Sequence, residues 1–132
     1  MIYFFYGDED FNIDKEVERL KSELDPNFIE MSYKVYDHPK FPDLIAVLRS
    51  QPMMFGKMLI VIDCVNYFSQ TFEDKEIKEI SAAIENNPDT LDIVFRAKIS
   101  RDEGKKLDSR RKLFKLLVKT NSKEFPTIPT YK

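Results

Sequence analysis

Residues 1–26, MIYFFYGDEDFNIDKEVERLKSELDP, carry two hydrophobic periods in succession. MIYFFY is a continuous, aromatic-rich apolar run that stops at Gly7, the pattern of a strand buried on both faces. Asp8, Glu9 and Asp10 then suit a helix N-terminus, whose partial positive charge they complement. Ile13, Val17, Leu20 and Leu24 follow at helical spacing until Pro26 closes the segment. Buried strand, tight turn, helix is the opening of a parallel α/β sheet.

The alternation continues downstream. FIEMSYKVYD (28–37) predicts a strand, and FPDLIAVLRSQ (41–51) a short helix that gathers Leu44, Ile45, Val47 and Leu48 and accepts Pro42 in its first turn. MLIVIDCV (58–65) is the most convincing buried strand. Residues 66–73 read as a loop, and DKEIKEISAAIENNP (74–88) as a helix with Ile77, Ile80 and Ile84 on one face and a stop at Asn-Asn-Pro. TLDIVFRAK (90–98) predicts a strand, LDSRRKLFKLLVKTN (107–121) a basic helix, and SKEFPTI (122–128) a short last strand. The tail PTIPTYK (126–132), with two prolines and no apolar period, reads as a linker or a cut end. Together these elements predict a three-layer α/β domain with a mainly parallel sheet and no internal repeat.

Length and composition fit that architecture. A chain of 132 residues, 42% apolar and 33% charged, forms one soluble globular domain. No apolar run approaches the roughly 20 residues of a membrane span, and the N-terminus lacks a signal-peptide pattern, so the expected location is the cytoplasm. The lone Cys64, inside LIVIDCV, reads as a buried, reduced thiol. The net charge of −2 conceals segregation: residues 1–95 hold nine Lys/Arg against nineteen Asp/Glu, and residues 96–123 eleven against three. The basic end fits either an acidic partner, such as nucleic acid, or a solvated helix. Arg110, Arg111, Lys112 and Lys115 are its candidates for contact with DNA or another subunit.

Signatures of catalysis are sparse. A phosphate-binding loop needs several glycines and a Lys, whereas Gly7 is followed by three carboxylates and the chain has only two further glycines, Gly56 and Gly104. Neither a Walker A pattern nor a dinucleotide fingerprint can be written anywhere. LIVID, ending at Asp63, has the outline of a Walker B strand, but Cys64 follows in place of a second acid, and a locally hydrogen-bonded strand-end Asp is the expected role. His38, the only histidine, lies in the turn-like DHPK and reads as a solvated turn residue. One histidine and one cysteine make none of the usual zinc sites. No metal, cofactor or catalytic residue is expected.

SQPMMFGKMLIVID (50–63) places Met53, Met54 and Phe55 in front of Gly56 and the central strand. These side chains either fold inward as adaptable packing or point outward as an anchor for a partner's apolar pocket.

Three collinear stretches carry a family resemblance. IYFFYGDEDFNIDKEVERLK resembles the opening of the delta subunit of the bacterial DNA polymerase III clamp loader: apolar strand, Tyr-Gly, acidic pair, Phe, helix. SQPMMFGKMLIVID resembles the segment in which that family's Leu-Phe pair and a small residue precede the central strand. NPDTLDIVFRAKISRDEGKKLDSRRKLFKLLVK resembles its later strand, polar loop and basic helix. The resemblance implies an AAA+-like domain, a P-loop-NTPase-type fold without a functional Walker A that does not itself use ATP. It implies a non-catalytic part of the DNA polymerase III holoenzyme that binds the sliding clamp (beta subunit) and helps open it for loading on primed DNA. Met54 and Phe55 stand where the family's pair enters a clamp pocket, and Gln51 begins a Q-x-x-M-F arrangement similar to short clamp-binding peptides. Met for Leu at position 54 conserves volume, whereas Pro52 removes a donor and alters local helix geometry. On this reading residues 1–125 are the clamp-binding domain and 126–132 a linker or truncated end. The family's lid-like and collar domains, which join other loader subunits, have no counterpart in the chain. Two other classes stay open: a small nucleic-acid-binding or regulatory module using residues 96–123, and a phosphoryl-transfer site around Asp63.

Overall fold

The computed structural model describes residues 1–51, 56–99 and 107–125. Five strands, β1 (Ile2–Gly7), β2 (Tyr33–Asp37), β3 (Met58–Asp63), β4 (Leu91–Lys98) and β5 (Asn121–Phe125), form one sheet in the order β2-β3-β4-β1-β5. All four pairings are parallel, with Phe4 opposite Phe95 and Val61 opposite Val94 in the centre. The expected three-layer α/β class is the observed one.

Connection handedness distributes the helices. The chain steps from β1 outward to the β2 edge and then back through β3 and β4 to β5. Right-handed crossovers in opposite directions place their helices on opposite faces. Thus α1 (Asp10–Lys21) lies on one face, and α3 (Phe41–Leu48), α4 (Asp74–Glu85) and α5 (Lys112–Leu117) on the other. A short α2 (Ile29–Ser32) leads into β2.

The period-2 alternation of the strands divides the core in two. Ile13, Val17, Leu20 and Leu24 meet Phe5, Leu59, Val61 and Val94 beneath α1. Phe4, Ile60, Ile62, Ile93 and Phe95 line the opposite face, where Phe114 of α5 packs edge-on against Phe4 at 5.6 Å. Burying an aliphatic or aromatic side chain contributes roughly 1.5–3 kcal/mol, so these two layers dominate stability.

Several boundaries differ from the sequence expectation. The strand expected at 28–37 begins only at Tyr33, because Asp25 caps a 3-10 turn, Pro26–Phe28, by accepting the Asn27 N–H at 2.9 Å, and the helical course continues to Ser32. The helix expected at 41–51 ends at Leu48. Residues 66–73 are not all loop: Val65–Ser69 is a 3-10 segment that buries Tyr67 and Phe68. The basic helix spans six residues, not fifteen, because the Asp108 carboxylate accepts the Arg110 N–H and its carbonyl the Arg111 N–H, turning the chain before α5 begins. Among the described residues no helix is long and apolar enough to cross a membrane.

Candidate functional site

A parallel sheet has two unlike poles. The amino ends of the strands meet the C-termini of the helices, and the carboxyl ends meet the helix N-termini. In open α/β sheets ligands bind at the carboxyl pole, in the crevice where the strand order reverses. Here that crevice lies between β1 and β4.

Among the described residues, the chain's own groups flank this crevice on both sides. Gly7 has φ +139°, and a Cβ on it would stand 2.1 Å from the Phe125 carbonyl oxygen, so β5 packs where only glycine fits. The Glu9 N–H donates to that same carbonyl at 3.0 Å, and the Ile99 N–H to the Gly7 carbonyl at 2.9 Å. A phosphate-binding loop directs such N–H groups at its ligand; in this chain they bind protein.

Ion pairs occupy the rest of the crevice. Arg96 of β4, in register with Asp63 of β3, donates to both its carboxylate oxygens at 2.6 and 2.9 Å and to Asp14 of α1 at 3.2 Å. Lys98 adds a second cation to Asp14 at 2.8 Å. The Asp63 hydrogen bond raises the Arg96 guanidinium above its ordinary value, so it is charged throughout the working range. Asp63 is hydrogen-bonded, but across strands to Arg96 and not locally as the sequence suggested. Among the described residues no three His, Cys, Asp or Glu side chains gather as metal ligands.

His38 is a turn residue with φ +48°, but its ring is not simply solvated. Nε2 accepts the Asn66 N–H at 3.1 Å and Nδ1 lies 2.5 Å from Asp37, while the ring meets Tyr67 edge-on. The Tyr67 hydroxyl donates to the Pro39 carbonyl, and burial pushes its pKa well above the ordinary 10.0. Cys64 is fully buried, and desolvation likewise pushes its thiol far up.

The residues that flank the expected partner-binding stretch, Gln51 and Gly56, lie at the opposite, amino pole. Gln51 is exposed just beyond α3 and borders a groove of about 270 Å³ between the C-terminal ends of α3 and α4, with Ala83, Asn86 and Pro88 on its walls. Met53, Met54 and Phe55 lie outside the described residues, so the choice between inward and outward packing is carried by the sequence alone. The chain re-enters at Gly56, φ +83°, and β3 begins where the Met58 N–H donates to the Thr90 carbonyl at 2.8 Å. Between them, Lys57 reaches Asp92 of β4 at 3.0 Å and Glu23 beyond α1 at 3.3 Å. The hydrogen bond to Asp92 raises the Lys57 ammonium above its ordinary value. Asp92 also accepts from the Met1 amine at 2.9 Å.

The four basic candidates do not form one free face. Arg110 pairs with Asp108 at 3.1 Å, Arg111 donates to Thr71 Oγ1 at 3.1 Å, and Lys112 forms an ion pair with Asp74. Hydrogen bonds from Arg110 hold the Asp108 carboxyl below the usual carboxylate range, and Lys112 does the same to Asp74. Lys115 is exposed and has no ion pair among the described residues. Arg110, Arg111 and Lys112 sit at the carboxyl pole, where they line a groove with Thr71 and Phe72, so this groove and the Gln51 groove open at opposite ends of the sheet.

Sequence reasoning missed Lys57, Asp92, Arg96 and Asp14. Asp92 carried a signal, an acid inside the buried run LDIVF, which demands a cation. Arg96 and Asp14 meet Asp63 only through strand register, which no local pattern reveals.

A family profile described as DNA polymerase III, delta subunit, matches residues 3–125. Among solved structures, a Bacillus subtilis DNA clamp loader delta protein is similar, with a TM-score of 0.71 and 22% identity over 96% of this chain and 38% of that one. A DNA polymerase III gamma subunit-related protein from Thermotoga maritima is similar with a TM-score of 0.55 and 11% identity, over 98% of this chain and 42% of that one. The chain thus spans well under half of either. No curated protein matches.

Proposed function

Because the chain belongs to the DNA polymerase III delta subunit family, we propose that residues 1–125 are the sliding-clamp-binding module of a clamp loader acting in DNA replication. Gln51, Met54 and Phe55 form its anchor. The module docks Met54 and Phe55 in an apolar pocket of the clamp and holds the ring open for placement on primed DNA. ATP enters through other loader subunits.

The observation that carries this reading is the family match across residues 3–125, within which QPMMFG occupies the link between α3 and the central strand. The exposure of Gln51 at the amino pole adds support. So does the carboxyl pole, where Arg96 engages the Walker-B-like Asp63 and β5 covers Gly7. Arg110, Arg111, Lys112 and Lys115 serve contacts with DNA or a neighbouring subunit in the assembled loader. Most of their charge is already answered by local acids and Thr71, so they contribute less than an unpaired cluster.

Opening is a shift in the closed-to-open equilibrium of the ring, and the module drives it only by binding the open form more tightly. A hundredfold difference in affinity supplies about 2.7 kcal/mol. The test is calorimetric titration of the chain with its cognate clamp, beside Met54→Ala, Phe55→Ala. Hot-spot truncation costs roughly 2–4 kcal/mol, so the folded double variant loses at least about 30-fold in affinity. Wild-type affinity in that variant refutes the anchor. Affinity for DNA that falls steeply with salt, without clamp binding, instead favours the nucleic-acid-binding module.

A further inference from the structure

The groove of about 270 Å³ at the amino pole carries polar groups that the fold itself does not use. At the end of α3 the Arg49 N–H donates to the Ile45 carbonyl at 3.0 Å and the Ser50 N–H to the Val47 carbonyl at 3.1 Å. At the end of α4 the Asn86 N–H and Nδ2 both donate to the Ala82 carbonyl, at 3.1 and 2.8 Å. The helix ends are thus answered without the Arg49 guanidinium, which is exposed. Among the described residues neither that guanidinium nor the Gln51 side-chain amide has a hydrogen bond or an ion pair. Residues 1–95 hold nineteen acids for nine cations, yet no acid lines this groove. An unanswered guanidinium in an otherwise acidic part of the chain is matched in charge to a carboxylate, which its planar fork can bind through two parallel bonds.

Chain connectivity links the groove to the anchor. Gln51 precedes Met54 by three residues, which span at most about 11 Å whatever course they take. An interface of standard size, about 800 Å² per partner, extends roughly 16 Å from its centre, so one centred on Met54 covers the groove. We infer that this groove is a second contact with the clamp, in which Arg49, seconded by the Gln51 amide, receives an acidic side chain of the clamp. The inference rests on the reading that Met54 and Phe55 anchor a clamp, and it adds a charged contact to an apolar one. A charge at the rim of an interface acts chiefly on the rate of association and is screened by salt.

The test uses the 132-residue chain and its cognate sliding clamp, with association followed by surface plasmon resonance at about 50 and about 300 mM salt and folding by urea denaturation. At the lower salt, folded Arg49→Gln is expected to associate about threefold more slowly and Arg49→Glu about tenfold more slowly, both gaps narrowing at the higher salt. Arg49→Lys, which keeps the charge, recovers most of the rate. Lys15→Gln removes the same charge from an exposed position on α1, across the sheet from the groove, and keeps a rate near that of the wild type. Equal losses in Lys15→Gln and Arg49→Gln overturn the inference, since only overall charge would then matter. Wild-type association in both Arg49→Gln and Arg49→Glu overturns it while leaving the anchor intact, provided Met54→Ala, Phe55→Ala still abolishes binding. Wild-type affinity in that double variant instead refutes the anchor reading, and the inference falls with it. If Arg49→Glu does not fold, Arg49→Gln decides in the same way.

Discussion

Gly7→Ala and Gly56→Ala make the same chemical change at two positive-φ positions, and the structure assigns them different costs. At Gly56 the added methyl meets nothing within 4 Å among the described residues, so the penalty is backbone strain alone, about 1 kcal/mol. At Gly7 the methyl would lie 2.1 Å from the Phe125 oxygen and 2.5 Å from its carbon. Both are backbone atoms of a strand locked in register with β1, so no side-chain rotation relieves the clash. Relief to ordinary contact at 3.4 Å needs β5 to retreat by about 1.3 Å. That retreat breaks the hydrogen bond from Glu9 to Phe125, roughly 1 kcal/mol, and loosens the edge contact between Phe5 and Phe125, roughly another 1 kcal/mol. With backbone strain of about 1–3 kcal/mol the total is about 3–5 kcal/mol, a large part of a typical domain's stability. Urea denaturation at pH 7 measures it. With a denaturant slope of about 1.5 kcal/mol per M, Gly7→Ala lowers the midpoint by about 2–3 M and Gly56→Ala by about 0.7 M. Hydrogen exchange should localise the Gly7→Ala damage to β5 and Glu9. Midpoints that fall together, or a Gly7→Ala midpoint within 0.5 M (about one quarter of the smallest shift expected for it) of wild type, refute the close-approach argument.

Other expectations concern buried polar groups. Arg96→Met leaves Asp63 and Asp14 without their shared cation and should cost about 2–3 kcal/mol, while adding Asp63→Asn should recover part of that loss; strictly additive urea midpoints would deny the coupling. Cys64 should resist a disulfide reagent at pH 8 in native buffer and react at once in 6 M urea (roughly the upper range of such titrations), and fast native labelling would contradict its full burial. Burial raises both the Cys64 thiol and the Tyr67 phenol, so the folded state retains protons that the unfolded state has released. Stability from these groups is thus complete below the ordinary thiol value of 9.0 and is lost as pH rises beyond it, by up to about 1.4 kcal/mol per pH unit for each titrating group. Thermal midpoints between pH 7 and 11, compared with a Cys64→Ala, Tyr67→Phe variant, should show a steeper alkaline decline in the wild type.

The fold was legible because its central strands, β3 and β4, are nearly all core. MLIVID and LDIVF are apolar at almost every position, and Ile13, Val17 and Leu20 are the three positions at which α1 is buried, with Leu24 buried just beyond it. The errors fall where local hydrogen bonding overrides periodicity. Asp25 starts a turn that delays β2, and Asp108 starts one that postpones α5 past Arg110 and Arg111. Both are Asp side chains accepting an N–H two residues on, a device visible in sequence only as a turn preference. The basic run suggested a cationic face, but Asp108, Asp74 and Thr71 meet it from separate positions in the chain. Near the expected anchor, the pairing of Lys57 with Asp92, thirty-five positions away in sequence and one strand over, had no local signal.

The two poles explain each other. An open parallel sheet offers a ligand crevice at its carboxyl ends by topology alone, and this chain fills that crevice with Arg96, Asp63, Asp14 and the carbonyl of Phe125. The same contacts tie β1, β3, β4, β5 and α1 together at that pole. A rigid sheet transmits force from one end to the other without local yielding. For a module whose proposed work is to hold a ring open through a single apolar anchor at the amino pole, stiffness behind the anchor is what converts binding energy into strain in the partner. Lys57, just before β3, ties to Asp92 of β4 as Asp63 at the end of β3 ties to Arg96, so the same two strands are braced at both poles.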